Sequence, residues 1–200
     1  MYKFLFLIIF SGWASNSNCQ QTKFSFTREK MGSPFTIILY DADSTHATTT
    51  VENSFKLVDS LVNIFSDYIN ESELNRLSNS SGLNKNVTVS KDLYDIMVQS
   101  EKAFKMSNGA FDITVGPLTR LWRKARKEKV FPDDSAVINS KRKTGFNKIR
   151  IDHTNRKVQL SDPGMRLDLG GIAQGFIGQK VLDQLAQSSI KNALINVSGD

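Results

Sequence analysis

Val51, Phe55, Val58, Val62 and Phe65 recur at intervals of four, three, four and three residues. That period places all five on one side of a helix capped at Ser44 or Thr45 and ended after Phe65 by Ser66-Asp67-Tyr68. A helix with a single apolar face has to bury it against another layer. The preceding residues supply one. Phe24-Ser25-Phe26 and Phe35 to Tyr40 have strand composition, and the bend Met31-Gly32-Ser33-Pro34 between them predicts paired strands.

The rest of the chain mixes both element types. Residues 70–88 are rich in Asn and Ser and are expected to form a loop with a short turn at Leu74-Asn75. Ser90 can cap a second helix whose inner face carries Leu93, Ile96, Met97, Ser100 and Phe104, and Ser107-Asn108-Gly109 stops it. Pro117 fits the first turn of a third helix, with Leu118, Leu121, Trp122 and Ala125 expected on its inner side. Asp133 starts a further helical stretch. Lys148 to Asp152 and Arg156 to Leu160 predict a hairpin around His153-Thr154-Asn155. Arg166 to Leu169 reads as a short strand, Gly170 to about Ala186 as a helix, and Ala193 to Val197 as a buried strand. No regular βαβ rhythm is present. The expected class is α+β, a mixed and mostly antiparallel sheet with packed helices. A strand of core composition normally leads to a neighbour, so the chain reads as a fold incomplete at its C-terminus.

Composition narrows the function classes. A single cysteine excludes a disulfide framework and a Cys-rich zinc or iron–sulfur site. Lys and Arg number 26 against 20 Asp and Glu, a net charge of +6 that favours anionic partners without choosing among them. The densest basic run, Arg120 to Lys129, reads as a solvated helix face, and no nucleic-acid partner is expected. Residues 1–20 have the layout of a signal peptide: Lys3, a short run of Phe, Leu and Ile, then small and polar residues. The apolar run is about half the ~20 residues a membrane span needs. Cys19 lies where an exported chain is cut. Acylation there, giving a lipid anchor, and simple loss with the signal peptide both fit.

Two segments carry chemistry. In Leu167-Asp168-Leu169-Gly170-Gly171-Ile172-Ala173-Gln174-Gly175 a carboxylate and two glycines precede a helix start. Glycines let a ligand approach the backbone, and free N–H groups at a helix start attract phosphate. Packing of a tight turn explains the same glycines equally well. Gly109-Ala110-Phe111-Asp112-Ile113-Thr114 joins a small residue, an aromatic and a carboxylate. It suits a flat heteroaromatic ligand, although a core role for Phe111 is the commoner use of such a residue.

These runs occur in order with Met31 to Phe35, Phe65 to Tyr68, Ser72 to Leu77, Val115 to Leu118, Leu121-Trp122 and Asn196 to Asp200. Together they resemble the ApbE family of FAD:protein FMN transferases, over roughly residues 24–200. The resemblance implies a domain beginning at residue 21, with residues 21–200 forming about its N-terminal two-thirds. It implies an exported enzyme, periplasmic or membrane-anchored, that binds FAD and Mg²⁺. Such an enzyme moves FMN onto a Thr or Ser hydroxyl of an acceptor protein and releases AMP. Mg²⁺-dependent hydrolysis of FAD and non-catalytic FAD binding are the alternatives.

Carried over by motif, Met31 and Tyr68 would line the FAD site. Ala110, Phe111 and Asp112 would wall the adenine end, and Asp168 and Gln174 would contact FAD. The Gly171 carbonyl would ligate Mg²⁺, with side-chain ligands expected beyond residue 200. The resemblance assigns no catalytic residue in this segment. Two positions depart from the pattern: Gln174 stands where the family usually has Lys, and Ser198 where it usually has Gly.

Overall fold

The computed structural model describes residues 21–198. The expected signal peptide, Cys19 and the final Gly199-Asp200 lie outside the described residues. Strands β1 (Thr22–Lys30) and β2 (Ser33–Asp41) form the expected antiparallel hairpin, closing on the pair Lys30 and Ser33. Its two apex residues, Met31 at φ 54° and Gly32 at φ 76°, are both left-handed, the backbone that matches the twist of a two-residue hairpin. Strand β6 (Ala193–Val197) pairs antiparallel with the other edge of β2, so β2 is central in the order β1-β2-β6.

Period-two alternation sends Phe35, Ile37 and Leu39 to one face of β2, where all three are fully buried. Helix α1 (Ser44–Phe65) covers that face with Val51, Phe55, Val58 and Leu61. Its cap lies one residue earlier than expected, because the Asp43 carboxylate accepts from Thr45 N at 2.7 Å. Helix α6 (Ala173–Gln187) packs beside α1 through the Phe65–Phe176 edge contact, with ring centroids 5.5 Å apart.

A second antiparallel sheet, in the order β3-β5-β4, is built from β3 (Val87–Thr88), β4 (Ile149–Asp152) and β5 (Lys157–Leu160). The β4–β5 hairpin is the one expected from sequence. Around it lie α2 (Glu73–Asn79), α3 (Lys91–Met106), α4 (Gly116–Glu128) and α5 (Asp134–Arg142). The class is α+β, as read from the sequence. Among the described residues no helix is long and apolar enough to cross a membrane.

Two segments differ from expectation. Residues 73–79 are helical rather than loop. Ser72 caps them by accepting from Asn75 N at 3.0 Å, and Leu74 and Leu77 are buried beneath. A seven-residue helix is too short to display a period, and its Asn and Ser content masks it. Arg166 to Leu169 is extended but joins no sheet. Met165, Leu167 and Leu169 alternate inward as in a strand. The amides of this segment go elsewhere: Leu167 N donates to Ser78 Oγ at 3.2 Å and Asp168 N to the Ile113 carbonyl at 2.8 Å.

That extended segment presses on the start of α4. A Cβ added at Gly116 would lie 2.5 Å from the Arg166 carbonyl oxygen, a separation real atoms do not tolerate. Gly116→Ala is therefore expected to destabilise the fold by about 1–3 kcal/mol through forced displacement of backbone. Gly175, in the first turn of α6, has open space around the same added atom. Gly175→Ala should be neutral or stabilising by up to about 1 kcal/mol. Denaturant unfolding of the two variants measures the contrast.

Candidate functional site

Where α1 ends, its last turn is closed by Ser66 N donating to the Val62 carbonyl at 3.0 Å. The Ser66 hydroxyl then accepts from Tyr68 N at 3.1 Å and Ile69 N at 3.3 Å. This turn leaves Tyr68 75% exposed. The ring lies over the Arg123 guanidinium, 4.1 Å from its carbon to the ring centroid. Arg123 projects from α4 and forks between two carboxylates. Nη1 donates to Asp67 Oδ2, and Nη2 donates to Asp168 Oδ2 at 2.9 Å.

The Asp67 and Asp168 side chains are only 7% and 9% exposed, so their pairing with Arg123 is screened little by water. One helical turn earlier, Arg120 donates to the Asp67 carbonyl at 3.2 Å and to Asn75 Oδ1 at 2.9 Å. Burial alone would make the Arg123 guanidinium easier to deprotonate. The hydrogen bond and charge of Asp67, then the charge of Asp168, outweigh this and raise its pKa above the ordinary value.

Asp168 uses its other oxygen to accept from Gly170 N at 2.8 Å, which folds the Gly170-Gly171 turn back over the end of the extended segment. Helix α6 follows, and no side chain caps its start. Ala173 N already donates to the Leu169 carbonyl at 2.8 Å, which leaves the N–H groups of Gln174 and Gly175 in the first turn to meet an anion. The Phe111 ring lies against the turn: a Cβ on Gly171 would fall 3.2 Å from Phe111 Cε2.

A cavity of about 610 Å³ opens between the β1–β2 apex, the end of α1 and the start of α6. Met31, Val62, Tyr68, Leu169, Gln174 and Ile177 are among its walls, which are mostly apolar. A second, more polar cavity of about 720 Å³ lies across the Gly170-Gly171 turn, beside Gln99, Gln179 and Lys180. Gly170 and Gln174 border both cavities.

Of the residues singled out from sequence, Met31, Tyr68 and Gln174 line the apolar cavity directly. Asp168 sits immediately behind its Leu169-Gly170 wall, bonded to Arg123 and Gly170. Phe111 supports Gly171 from beneath, and Gly171 itself is exposed on the turn. Ala110 is exposed beside Phe111, its N–H donating to the Ser107 carbonyl at 3.1 Å. The Asp112 carboxylate is engaged locally. It accepts from Thr114 N at 2.8 Å, Thr114 Oγ1 at 2.7 Å and Phe146 N at 3.1 Å. Among the described residues no group of three His, Cys, Asp or Glu side chains is placed to hold a metal ion.

Arg123 and Asp67 are the residues that sequence reading misses. The run 120–129 was expected to be a solvated face, but Arg120 and Arg123 are half-buried and bonded inward. Trp122, expected inside, is 45% exposed. The available signal was the three-residue spacing of Arg120 and Arg123, hidden within a run of further Lys and Arg.

Arg123→Met should leave two facing, nearly buried carboxylates without their cation. We expect a loss of about 1–3 kcal/mol in unfolding free energy, below the value for a fully buried pair because Arg123 is partly solvated. Arg123→Lys should recover only part of it, since an ammonium lacks the planar fork that spans both acids. Denaturant titration of the three proteins checks the order.

Comparison with known proteins gives the family. Residues 31–200 match the model of the ApbE family. A Klebsiella pneumoniae (strain 342) protein named FAD:protein FMN transferase is 30% identical over 177 residues, covering 88% of this chain and 54% of its own length. A Haemophilus influenzae protein of the same name is 29% identical over 191 residues, covering 91% and 55%. The chain thus spans about half the length of these curated relatives. The solved flavin transferase ApbE from Vibrio cholerae superposes with a TM-score of 0.82 at 24% identity, over 90% of this chain and 58% of that one. That likeness is one of fold. With the family model spanning most of its length, the chain belongs to the ApbE family.

Proposed function

We propose that the full-length protein transfers FMN from FAD to a Thr or Ser hydroxyl of an acceptor protein. The observation that carries this reading is the uncapped start of α6, opening through the Gly170-Gly171 turn onto an apolar cavity edged by the exposed Tyr68 ring. A dinucleotide needs both features: N–H groups for its phosphates and a flat apolar surface for a ring. The cavity volume falls in the range typical of sites for small molecules and cofactors. Relatives that share the family are named for this transfer.

In the reaction proposed, the acceptor oxygen bonds to the phosphorus on the flavin side of the pyrophosphate. The bond from that phosphorus to the bridging oxygen breaks, AMP leaves with the bridging oxygen, and the hydroxyl proton is released. The protein's part is positioning and charge neutralisation. Tyr68 stacks a ring, Met31 closes the apolar wall, and the α6 start receives phosphate. Asp168, locked by Arg123 and Gly170 N, holds the turn that presents those N–H groups.

Mg²⁺ belongs to the proposal as the family resemblance implies it. Of the residues described, the exposed Gly171 carbonyl is the one the resemblance assigns to it. When bound, the ion would neutralise pyrophosphate charge. Export is likewise proposed, on the charge and apolar pattern of residues 1–20, with Cys19 as the point of anchoring or cleavage.

The test incubates the full-length protein with FAD, Mg²⁺ and a Thr-containing acceptor. AMP release with flavin covalently on the acceptor supports the proposal. AMP with free FMN would instead make the protein a hydrolase, and retained FAD without AMP a binding protein. Asp168→Asn should keep the side chain's shape yet weaken FAD binding about ten-fold or more by loosening the turn. Unchanged FAD affinity in that variant would remove Asp168 from the site.

A further inference from the structure

The two positions that depart from the family pattern touch each other. Gln174 Nε2 lies 3.2 Å from Ser198 Oγ, which in turn bonds Ser33 Oγ at the end of the β1–β2 turn. Ser33 Oγ donates to the Lys30 carbonyl at 3.4 Å. This chain has a direction. The Lys30 carbonyl can only accept, and each hydroxyl carries one proton. Ser33 gives its proton to Lys30 and therefore accepts from Ser198. Ser198 has then spent its proton and accepts from Gln174. The group of Gln174 facing Ser198 must accordingly be its NH₂, and its carbonyl oxygen must face away. Ser198 is held in place for this task at a left-handed φ of 62°, its own N–H donating to the Pro34 carbonyl at 3.1 Å.

We propose that Ser198 and Ser33 are positioning residues that lock the Gln174 amide in one orientation. The position then presents a fixed carbonyl oxygen to a hydroxyl or N–H donor of the ligand, with the second N–H of the amide beside it. A lysine there would offer a mobile positive charge; the locked amide offers a fixed carbonyl oxygen, which repels phosphate oxygens and accepts from a sugar-type hydroxyl. Gln174 borders both cavities, so this acceptor stands at the junction between them. The identity of the ligand as FAD, with hydroxyls on its ribityl chain and ribose, rests on the reading under Proposed function. The directed relay does not.

Two measurements on the full-length protein separate the parts. In the ligand-free protein, nuclear magnetic resonance of the Gln174 side-chain amide should shift on Ser33→Ala, two hydrogen bonds away, and on Ser198→Gly. Ser198→Gly removes the hydroxyl while relieving the left-handed backbone, so it retains the fold. An amide signal indifferent to both substitutions overturns the relay. In FAD titrations, Ser198→Gly should weaken binding about three- to ten-fold in the parent protein. It should weaken binding less than two-fold once Gln174→Ala has been made, because the coupling partner is gone. Equal losses in both backgrounds mean that Ser198 does not act through Gln174 and overturn the proposal. Absence of FAD binding in the parent, with the amide signal still responding to Ser33→Ala, overturns the flavin reading instead.

Discussion

The site depends on one guanidinium. Arg123 bonds Asp67, which follows α1, and Asp168, which precedes α6, and it underlies the Tyr68 ring. Three chain segments far apart in sequence are thereby fixed to one planar group. Two carboxylates so little exposed would repel each other and demand water. Their common cation makes their closeness favourable, and the arginine fork sets their mutual angle. Position of the Gly170-Gly171 turn, exposure of Tyr68 and shape of the apolar cavity all follow from it. Arg120 strengthens the same point by gripping the Asp67 carbonyl and the α2 residue Asn75.

Two of the seven left-handed non-glycine positions among the described residues lie beside the same opening. Met31 and Ser198 both adopt left-handed backbone without being glycine, and Ser33 lies between them, two residues from Met31 and bonded to Ser198. Such conformations persist where surrounding bonds over-determine them. For Met31 the determinant is hairpin pairing that closes on Lys30 and Ser33. For Ser198 it is the bond to Pro34 and the hydroxyl chain to Ser33. A glycine at position 198 would adopt this φ without strain.

The strong periodic elements were legible in the sequence. The face Val51 to Phe65, the inner face of α3 and the β4–β5 hairpin form as their spacing requires. Val62 departs instructively: its spacing marks it as core, yet it is half-buried because the cavity opens beside it. What was not legible depends on partners distant in sequence. No local pattern distinguishes the bonded Arg120 and Arg123 from exposed neighbours in one basic run. Leu167 and Leu169 alternate like a strand, but whether such a segment pairs is decided by Ser78 and Ile113. Met31, Tyr68 and Gln174, named from the family resemblance, sit at the ends of three different elements that the fold brings to one cavity.

The stacking of Tyr68 on Arg123 gives the aromatic two unequal sides. Its inner side is taken by a cation, which draws electron density toward the protein; its outer side remains bare. A planar guest can add only from outside, as the third layer of a cation–phenol–guest pile. This end of the cavity therefore has a charged floor and an aromatic face open to solvent.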